Sequence, residues 1–143
     1  MHDDMSKIVV NRCYGGFGLS HEAVMLYAEK AGFKLYKQET AYSFPNYWKR
    51  PIDELPEFLE GDAWTNATLK QRRKNNELYS ECRFYDRDLK RDDPILVEVV
   101  ETLGEKANGQ FAKLDVAVVP DDVNWKIEEY DGSEWVSEVH RTW

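Results

Sequence analysis

The chain has few of the residues from which metal centres and nucleophilic sites are most often built. It contains two cysteines and three histidines, namely Cys13, Cys82, His2, His21 and His140. Two cysteines cannot form a disulfide framework, and no zinc-finger spacing is present. Neighbouring acids such as Asp121 and Asp122 point to opposite faces of a strand, so each pair offers one ligand at best. We therefore predict neither a metal site nor a bound cofactor.

Long apolar runs and excess positive charge are also lacking. No run approaches the roughly 20 residues of a membrane span. The N-terminal "MHDDMSKIVV" has acids where a signal peptide has basic residues. Lys and Arg number 19 and Asp and Glu 27, a net charge of −8, which argues against general nucleic-acid binding. We expect a soluble, cytoplasmic protein with reduced thiols and no membrane partner.

What the chain does have is a repeated pattern of strands and helices. β-branched residues predict a strand over 7–13, and alternation predicts strands over 33–38 and in "ELYSECRFYD". Ser20 begins a helix that Gly32 ends, and Asp93-Pro94 begins another that ends near Gly109. "AKLDVAVVP" predicts a buried strand, and Asp131-Gly132 predicts a hairpin turn.

In chain order these elements are β-α-β, an insertion, β-α-β and a hairpin. The first six match the split β-α-β pattern of ferredoxin-like domains. We therefore predict an α+β fold, as a single domain over 1–143, with a ferredoxin-like sheet and an added C-terminal hairpin. The insertion, 39–77, is predicted to be irregular, with aromatic residues and a short basic helix in "TNATLKQRRKNN".

The stretch "NRCYGGFGLSHEA", Asn11 to Ala23, places three glycines between a strand and a helix. Backbone N–H groups of Gly15, Gly16 and Gly18, with the helix start at Ser20, would together form an anion site. The spacing is neither a P-loop nor the dinucleotide fingerprint. The alternative, that the glycines only allow a tight turn and close packing, is favoured by the sequence.

The insertion supplies a second set of candidates, because aromatic rings stack on bases and arginines pair with phosphates. An apolar cover over the sheet or a subunit interface explains the same residues. The predicted ligand-binding residues are Asn11, Arg12, Tyr14, Gly15, Gly16, Phe17, Gly18, Ser20, Trp48, Arg72, Arg73, His140 and Arg141.

A catalytic alternative uses Cys13 as nucleophile with Glu138 and His140 as an acid–base pair. Each residue has a simpler explanation. Cys13 fills space at a strand end, and His140 is a structural histidine. Glu134 and Glu138 lie on a solvated strand face.

Three blocks carry a resemblance to a known family. They are "KIVVNRCYGGFGLSHEAV", "RDDPILVEVVETLGEKANG" and "VPDDVNWKIEEYDGSEWVSEVHRTW", nearly half of the chain. Together they resemble a family of small bacteriophage and prophage proteins. The resemblance implies a viral gene acting in a host cell, and it assigns no residue a role.

Three functions fit these observations. The leading hypothesis is a non-enzymatic protein that sequesters a small nucleotide, such as a host immune second messenger. The second is an enzyme acting on a nucleotide or sugar phosphate. The third is an acidic protein that blocks a host protein by binding to a cationic surface of that host protein. Unpaired sheet edges and exposed aromatics also lead us to expect a homo-oligomer.

Overall fold

The computed structural model describes residues 4–41 and 45–139, and its contacts divide the chain into two compact units. The first unit is Met1–Ala31 with Asp86–Trp143, and the second is Gly32–Tyr85. The strands are β1 (Met5–Asn11), β2 (Tyr36–Gln38), β3 (Asn46–Trp48), β4 (Arg83–Phe84), β5 (Leu114–Pro120), β6 (Trp125–Tyr130) and β7 (Ser133–Glu138). The helices are α1 (His21–Ala31), α2 (Gly61–Thr65), α3 (Leu69–Cys82) and α4 (Pro94–Leu103).

The strands form open antiparallel sheets. In the first unit β1 pairs with β5, and β6 pairs with β7. In the second unit the order is β2-β3-β4. The prediction of a mixed α+β fold is therefore confirmed. The ferredoxin-like strand order and the single domain over 1–143 stay predictions.

The core of the first unit is built around β1. Ile8, Val9 and Val10 are fully buried, because helices α1 and α4 supply apolar faces against one another and α4 packs on β1. Those helix faces follow the 3.6-residue period. Their buried members are Ala23, Val24, Tyr27, Ala28, Leu96, Val97, Val99 and Val100.

Both predicted helix caps of this unit are confirmed. The Ser20 hydroxyl accepts a hydrogen bond from the Ala23 N–H at 3.1 Å, and the Asp93 carboxylate accepts one from the Ile95 N–H at 2.9 Å. Asp93 also accepts a hydrogen bond from the Tyr27 hydroxyl at 2.5 Å, which ties α1 to the start of α4. Burial, and then this carboxylate, raise the pKa of Tyr27 to about 12.

The predicted hairpin is also confirmed. Asp131 and Gly132 have φ values of 49° and 91°, as a tight type I′ turn requires, and Trp125 to Tyr130 pair in register with Ser133 to Glu138. Asp is one of the few non-glycine residues that adopt positive φ readily.

The predicted strand in "ELYSECRFYD" is wrong over most of its length. Residues 77–82 continue α3, and only Arg83–Phe84 form a strand. Thr68 and Gln71 form a capping box that begins the helix. Leu78 and Cys82 are then four residues apart on one helical face, and this spacing overrides the short alternation.

Three further expectations need correction. The insertion is less irregular than predicted, because it contains β3 and α2 besides the predicted basic helix, which is confirmed as the first part of α3. The second long helix ends at Leu103, because Gly104 has φ of 57° and begins a 3₁₀ helix, Gly104–Ala107. Strand β5 is only half-buried, and Val118 is 52% exposed, because β1 is its one strand partner in the described part of the chain.

Candidate functional site

The glycine loop after β1 packs tightly against two neighbouring segments of the chain. A Cβ atom on Gly15 would lie 2.3 Å from the Cβ of Phe111, and one on Gly132 would lie 2.6 Å from the carbonyl oxygen of Tyr14. Both distances are shorter than real Cβ contacts, so no larger residue fits at either position. The loop is therefore pressed against the segment before β5 and against the hairpin turn.

Asn11 holds this junction together from inside. Its side-chain amide donates hydrogen bonds to the carbonyls of Cys13 and Gly132, at 2.6 and 2.8 Å. Its side-chain oxygen accepts from the N–H groups of Cys13 and Lys113, at 3.2 and 2.8 Å. Asn11 is fully buried. These four bonds satisfy the whole amide group, so Asn11 fixes the loop, the hairpin and β5 relative to one another.

A buried ion pair lies beside Asn11. The guanidinium of Arg91 donates to both carboxylate oxygens of Glu134, at 2.5 and 3.0 Å. The same carboxylate accepts the Asn11 backbone N–H at 2.8 Å, and Arg91 lies 3.7 Å from the centre of the Phe17 ring. Glu134 is only 6% exposed. The expectation that Glu134 lies on a solvated face is therefore wrong.

The start of α1 already has an anion of its own. The carboxylate of Asp86 accepts the Leu19 N–H at 2.8 Å, and the carbonyl of Ala107 accepts the Ser20 N–H at 2.9 Å. A negative group beside a helix N-terminus is stabilised there. An external phosphate would therefore meet a carboxylate where the sequence predicted an anion site.

Part of the loop backbone is nevertheless available. Across residues 4–41 and 45–139, no hydrogen bond is made by the N–H groups of Gly16, Phe17 and Gly18. Tyr14 precedes them and is 70% exposed, whereas the Phe17 side chain is buried. This short stretch is the part of the predicted cradle that retains free donors.

Two of the arginines predicted to bind phosphate are already held by protein groups. Arg12 pairs with Asp115 at 3.3 Å and donates to the Glu134 carbonyl at 3.1 Å. Arg72 belongs to the second unit, where it donates to the carbonyls of Trp64 and Thr65 and lies over the Trp64 ring. Arg73, also of the second unit, is exposed.

Trp48 is a core residue of the second unit. It is 4% exposed, stacks on Phe58 and meets the edge of Tyr79. Its indole N–H donates to Gln38 at 2.9 Å, and Arg83 lies over its ring. The apolar explanation of these insertion aromatics, given as an alternative above, is the one that this packing supports. Tyr42 and Phe44, two further aromatic residues of the insertion predicted to line a binding pocket, lie outside the described residues.

Of the three residues in the catalytic alternative, only Cys13 and Glu138 lie in the described part of the chain. Cys13 is half-buried with a free thiol, and Glu138 is exposed at the end of β7. His140 and Arg141 lie outside the described residues. Within the described part of the chain, no three His, Cys, Asp or Glu side chains are grouped as a metal site, and no helix is long and apolar enough to cross a membrane.

The outward face of the hairpin carries a feature that the sequence reasoning missed. Trp135 is 41% exposed and Tyr130 is 67% exposed, and both lie on the hairpin face opposite to the buried Glu134. The Trp135 indole N–H donates to the Glu128 carboxylate at 3.0 Å. The nearby Ser137 hydroxyl, with smaller contributions from Lys126 and Trp135, holds the pKa of Glu128 below its usual range. The sequence signal for this arrangement is the alternation in "EWVSE", which places Trp135 and Glu134 on opposite faces of the strand.

Glu128 shares the face of these two rings, and Asp131 lies beside them in the turn. We define the acidic hairpin surface as Tyr130, Trp135, Glu128 and Asp131. From Asp121 to Val139 the chain has seven acidic residues and one basic residue, Lys126. The first unit has 19 acidic and 10 basic residues, a net charge of −9, whereas the second has 8 and 9, a net charge of +1.

Comparison with known proteins adds no assignment. The chain matches no protein-family model, no curated protein and no solved structure. The candidate site therefore has to be interpreted from its own geometry.

Proposed function

We propose that this chain is a non-enzymatic protein-binding module that docks the acidic hairpin surface on a basic surface of another protein. The observation that supports this most directly is Trp135, a large aromatic side chain held on an exposed face by its hydrogen bond to Glu128. A few residues carry most of the binding energy at protein interfaces, and Trp and Tyr are enriched among them; a side chain ordered in advance also loses less entropy on binding.

Charge supports the choice of a basic partner. The hairpin is acidic within an acidic unit, and such a field accelerates encounter with a cationic surface and opposes association with an acidic one. The side chains of Arg12, Asn11 and Ser20 already form hydrogen bonds within the protein. A bound nucleotide would need those same side-chain groups, so these bonds favour protein binding over phosphate binding.

The test uses Trp135→Ala and Tyr130→Ala, with Ile52→Ala as the control because Ile52 is an apolar residue 41% exposed in the second unit. Immobilised protein is exposed to a bacterial host lysate, since the resemblance implies that host. Any protein retained by the wild type is then purified and titrated by calorimetry. We expect a basic partner whose dissociation constant rises about thirtyfold or more with Trp135→Ala and hardly at all with Ile52→Ala.

Added salt must also weaken this complex, because the charges of both surfaces are solvent-exposed. The proposal is contradicted if every purified partner binds both hairpin variants as tightly as the wild type. An acidic partner, or affinity that salt leaves unchanged, contradicts it as well.

Nucleotide sequestration is the second candidate, and the unbonded N–H groups of Gly16, Phe17 and Gly18 beside the exposed ring of Tyr14 favour it. Excess protein is incubated with cyclic and ADP-ribose-type nucleotides, filtered and heated, with mass spectrometry of both fractions. A sequestering protein removes one nucleotide and releases it intact on heating, and Tyr14→Ala reduces the amount retained. Conversion to a new mass identifies an enzyme instead, and untouched nucleotides exclude both.

For the fold, we propose the ferredoxin-like split β-α-β order predicted from the sequence. The antiparallel pairing of β1 with β5 supports it, because that sheet places its first and last strands side by side.

A further inference from the structure

Strand β5 has one edge that no strand pairs with in the described part of the chain. Its other edge faces β1, where the Arg12 N–H donates to the Lys113 carbonyl and the Asp121 N–H donates to the Asp4 carbonyl. Because the N–H and C=O of one strand residue point to the same side, the odd-numbered residues of β5 bond toward β1. The even-numbered residues direct their backbone groups to the open edge. They are Leu114, Val116, Val118 and Pro120.

The free part of this edge is short and apolar. The Val118 N–H makes no hydrogen bond with residues 4–41 and 45–139, and its side chain is 52% exposed. The Val116 N–H donates to the carboxylate of the preceding Asp115 at 2.9 Å. The Leu114 N–H is already bound by a side-chain oxygen at 2.8 Å, and Pro120 has no N–H. The available groups are therefore those of Val116 and Val118.

Other strand edges of the described chain are protected, whereas this one is not. Natural edges are short, charged or covered, because an unprotected edge pairs with another chain. Strands β2 and β4 have three and two residues, and both β6 and β7 carry charged residues. The outer edge of β1 is bound by Arg91 at Val9. Residues 116–119 of β5 are Val-Ala-Val-Val, without a charge.

Charge selects one register for two copies of β5 that pair antiparallel about a two-fold axis. With the axis at Ala117, Lys113 of each copy lies opposite Asp121 of the other. An axis one residue later would place Asp115 opposite Asp121, and like charges directly opposite each other are destabilising. An axis one residue earlier would leave Lys113 without an opposite charge. Ala117 also suits the axis, because a side chain meets its own copy there and a methyl group leaves room.

We propose that β5 pairs with β5 of a second copy of this chain, antiparallel and centred on Ala117, so that two β1–β5 sheets become one continuous sheet. Val116 of each copy then lies opposite Val118 of the other, and such a pair exchanges both N–H···O bonds. The Val116 N–H changes its acceptor from Asp115 to a carbonyl, and the exposed Val118 side chain is covered. The contact uses the same strand on both copies, so assembly stops at a dimer.

Sedimentation velocity tests the dimer. We expect wild-type protein at high micromolar concentration to reach twice the 16.8 kDa mass of one chain. Val118→Pro removes the outward N–H without breaking a bond to β1, and Val118→Lys places a charge on the edge. Both should raise the dissociation constant of the dimer by about tenfold or more. The matched control is Val139→Lys, the same change at a valine that is 44% exposed outside β5, and it should leave the dimer unchanged.

Disulfide linking tests the position of the axis. At a non-hydrogen-bonded antiparallel pair the Cα atoms lie about 4.5 Å apart, within the range that a disulfide spans. With oxidised glutathione, Ala117→Cys is therefore expected to form a linked dimer on non-reducing electrophoresis. Val118→Cys is the control, because it is more exposed but lies opposite Val116 rather than itself. It should give no more linked dimer than the wild type, which has Cys13 and Cys82.

A charge exchange tests the register independently. Lys113→Asp alone and Asp121→Lys alone each place like charges at both ends of the contact, so each should raise the dissociation constant about fivefold or more. An equimolar mixture of the two variants should recover wild-type affinity, because unlike charges again face each other at both ends. Circular dichroism confirms that each variant is folded, and Val118→Lys carries the edge test where Val118→Pro does not fold.

A wild type that stays monomeric throughout the concentration range overturns the inference, even where a foreign peptide adds to the β5 edge. Equal linking of Ala117→Cys and Val118→Cys overturns it as well, and so does a mixture that gains no affinity over the single variants.

These failures are distinct from failure of the proposed function, because the contact does not use the acidic hairpin surface. Trp135→Ala should leave the dimer intact, and a Trp135→Ala variant that is monomeric contradicts pairing through β5. Added salt should not dissociate the dimer, because two chains of net charge −8 repel one another and salt screens that repulsion. A complex of the hairpin with a basic partner should weaken under the same conditions.

Discussion

At the scale of residues, the pair formed by Arg91 and Glu134 does the most to shape the candidate site. Glu134 is buried, and its carboxylate accepts hydrogen bonds from the Asn11 backbone N–H and from Arg91. The Arg91 guanidinium in turn lies over the ring of Phe17. A buried pair need not stabilise a protein relative to apolar residues of the same size. Losing Glu134 is different, because the largely buried guanidinium of Arg91 then keeps the Val9 carbonyl as a hydrogen-bond acceptor but has no charged partner.

We therefore expect Glu134→Ala to lower the free energy of unfolding by about 3–5 kcal/mol, measured by urea denaturation. The control is Glu98→Ala, which removes the exposed partner of Lys30 and should cost less than about 1 kcal/mol. Equal losses for the two variants would mean that Glu134 does not hold the junction.

The sequence reveals these residues only in part. Glu134 and Val136 share a strand face, and a face that carries Val is often turned inward. Nothing local links Glu134 to Arg91, which lies 43 residues earlier in the chain. Asn11 was singled out as a ligand-binding residue, and its four hydrogen bonds within the protein give it a structural role.

At the scale of elements, α3 combines a strong start with an unfavourable charge order. The Thr68–Gln71 capping box favours the helix, and Lys70 in its first turn opposes it.

We expect Lys70→Glu to raise the stability of the protein by about 0.5–1 kcal/mol, because it reverses the interaction with the dipole and adds a Glu–Lys pair with Lys74. The measurement is thermal unfolding at low salt and at a concentration where the protein is monomeric. Lys34→Glu makes the same charge change outside a helix and serves as the control. If both variants shift the melting temperature equally, net charge rather than the helix dipole explains the effect.

Caps and turns are the elements that sequence patterns predict well here. Ser20, Asp93 and Asp131-Gly132 act through neighbours within three residues, so their chemistry is visible locally. Residues 77–82 show the opposite case. Their short alternation fits a strand, and the preceding helix propagates through them because no proline or glycine stops it.

At the scale of the whole molecule, charge is distributed unequally. The net charge of −8 hides a first unit at −9 and a second unit at +1. The average charge therefore gives no sign of the basic cluster of Lys70, Arg73 and Lys74 on α3, which the local sequence does show.

The sequence by itself determined the α+β class, both helix caps of the first unit, the hairpin turn and the presence of a glycine loop after β1, because each depends on residues close together in the chain. Only the tertiary structure decided that Phe111 and the turn at Gly132 pack against that loop, that Arg91 and Glu134 pair beside Asn11, and that Trp135 faces outward. Those facts depend on groups brought together from distant positions, and the balance between burying a charge and pairing it is set only when the chain has folded.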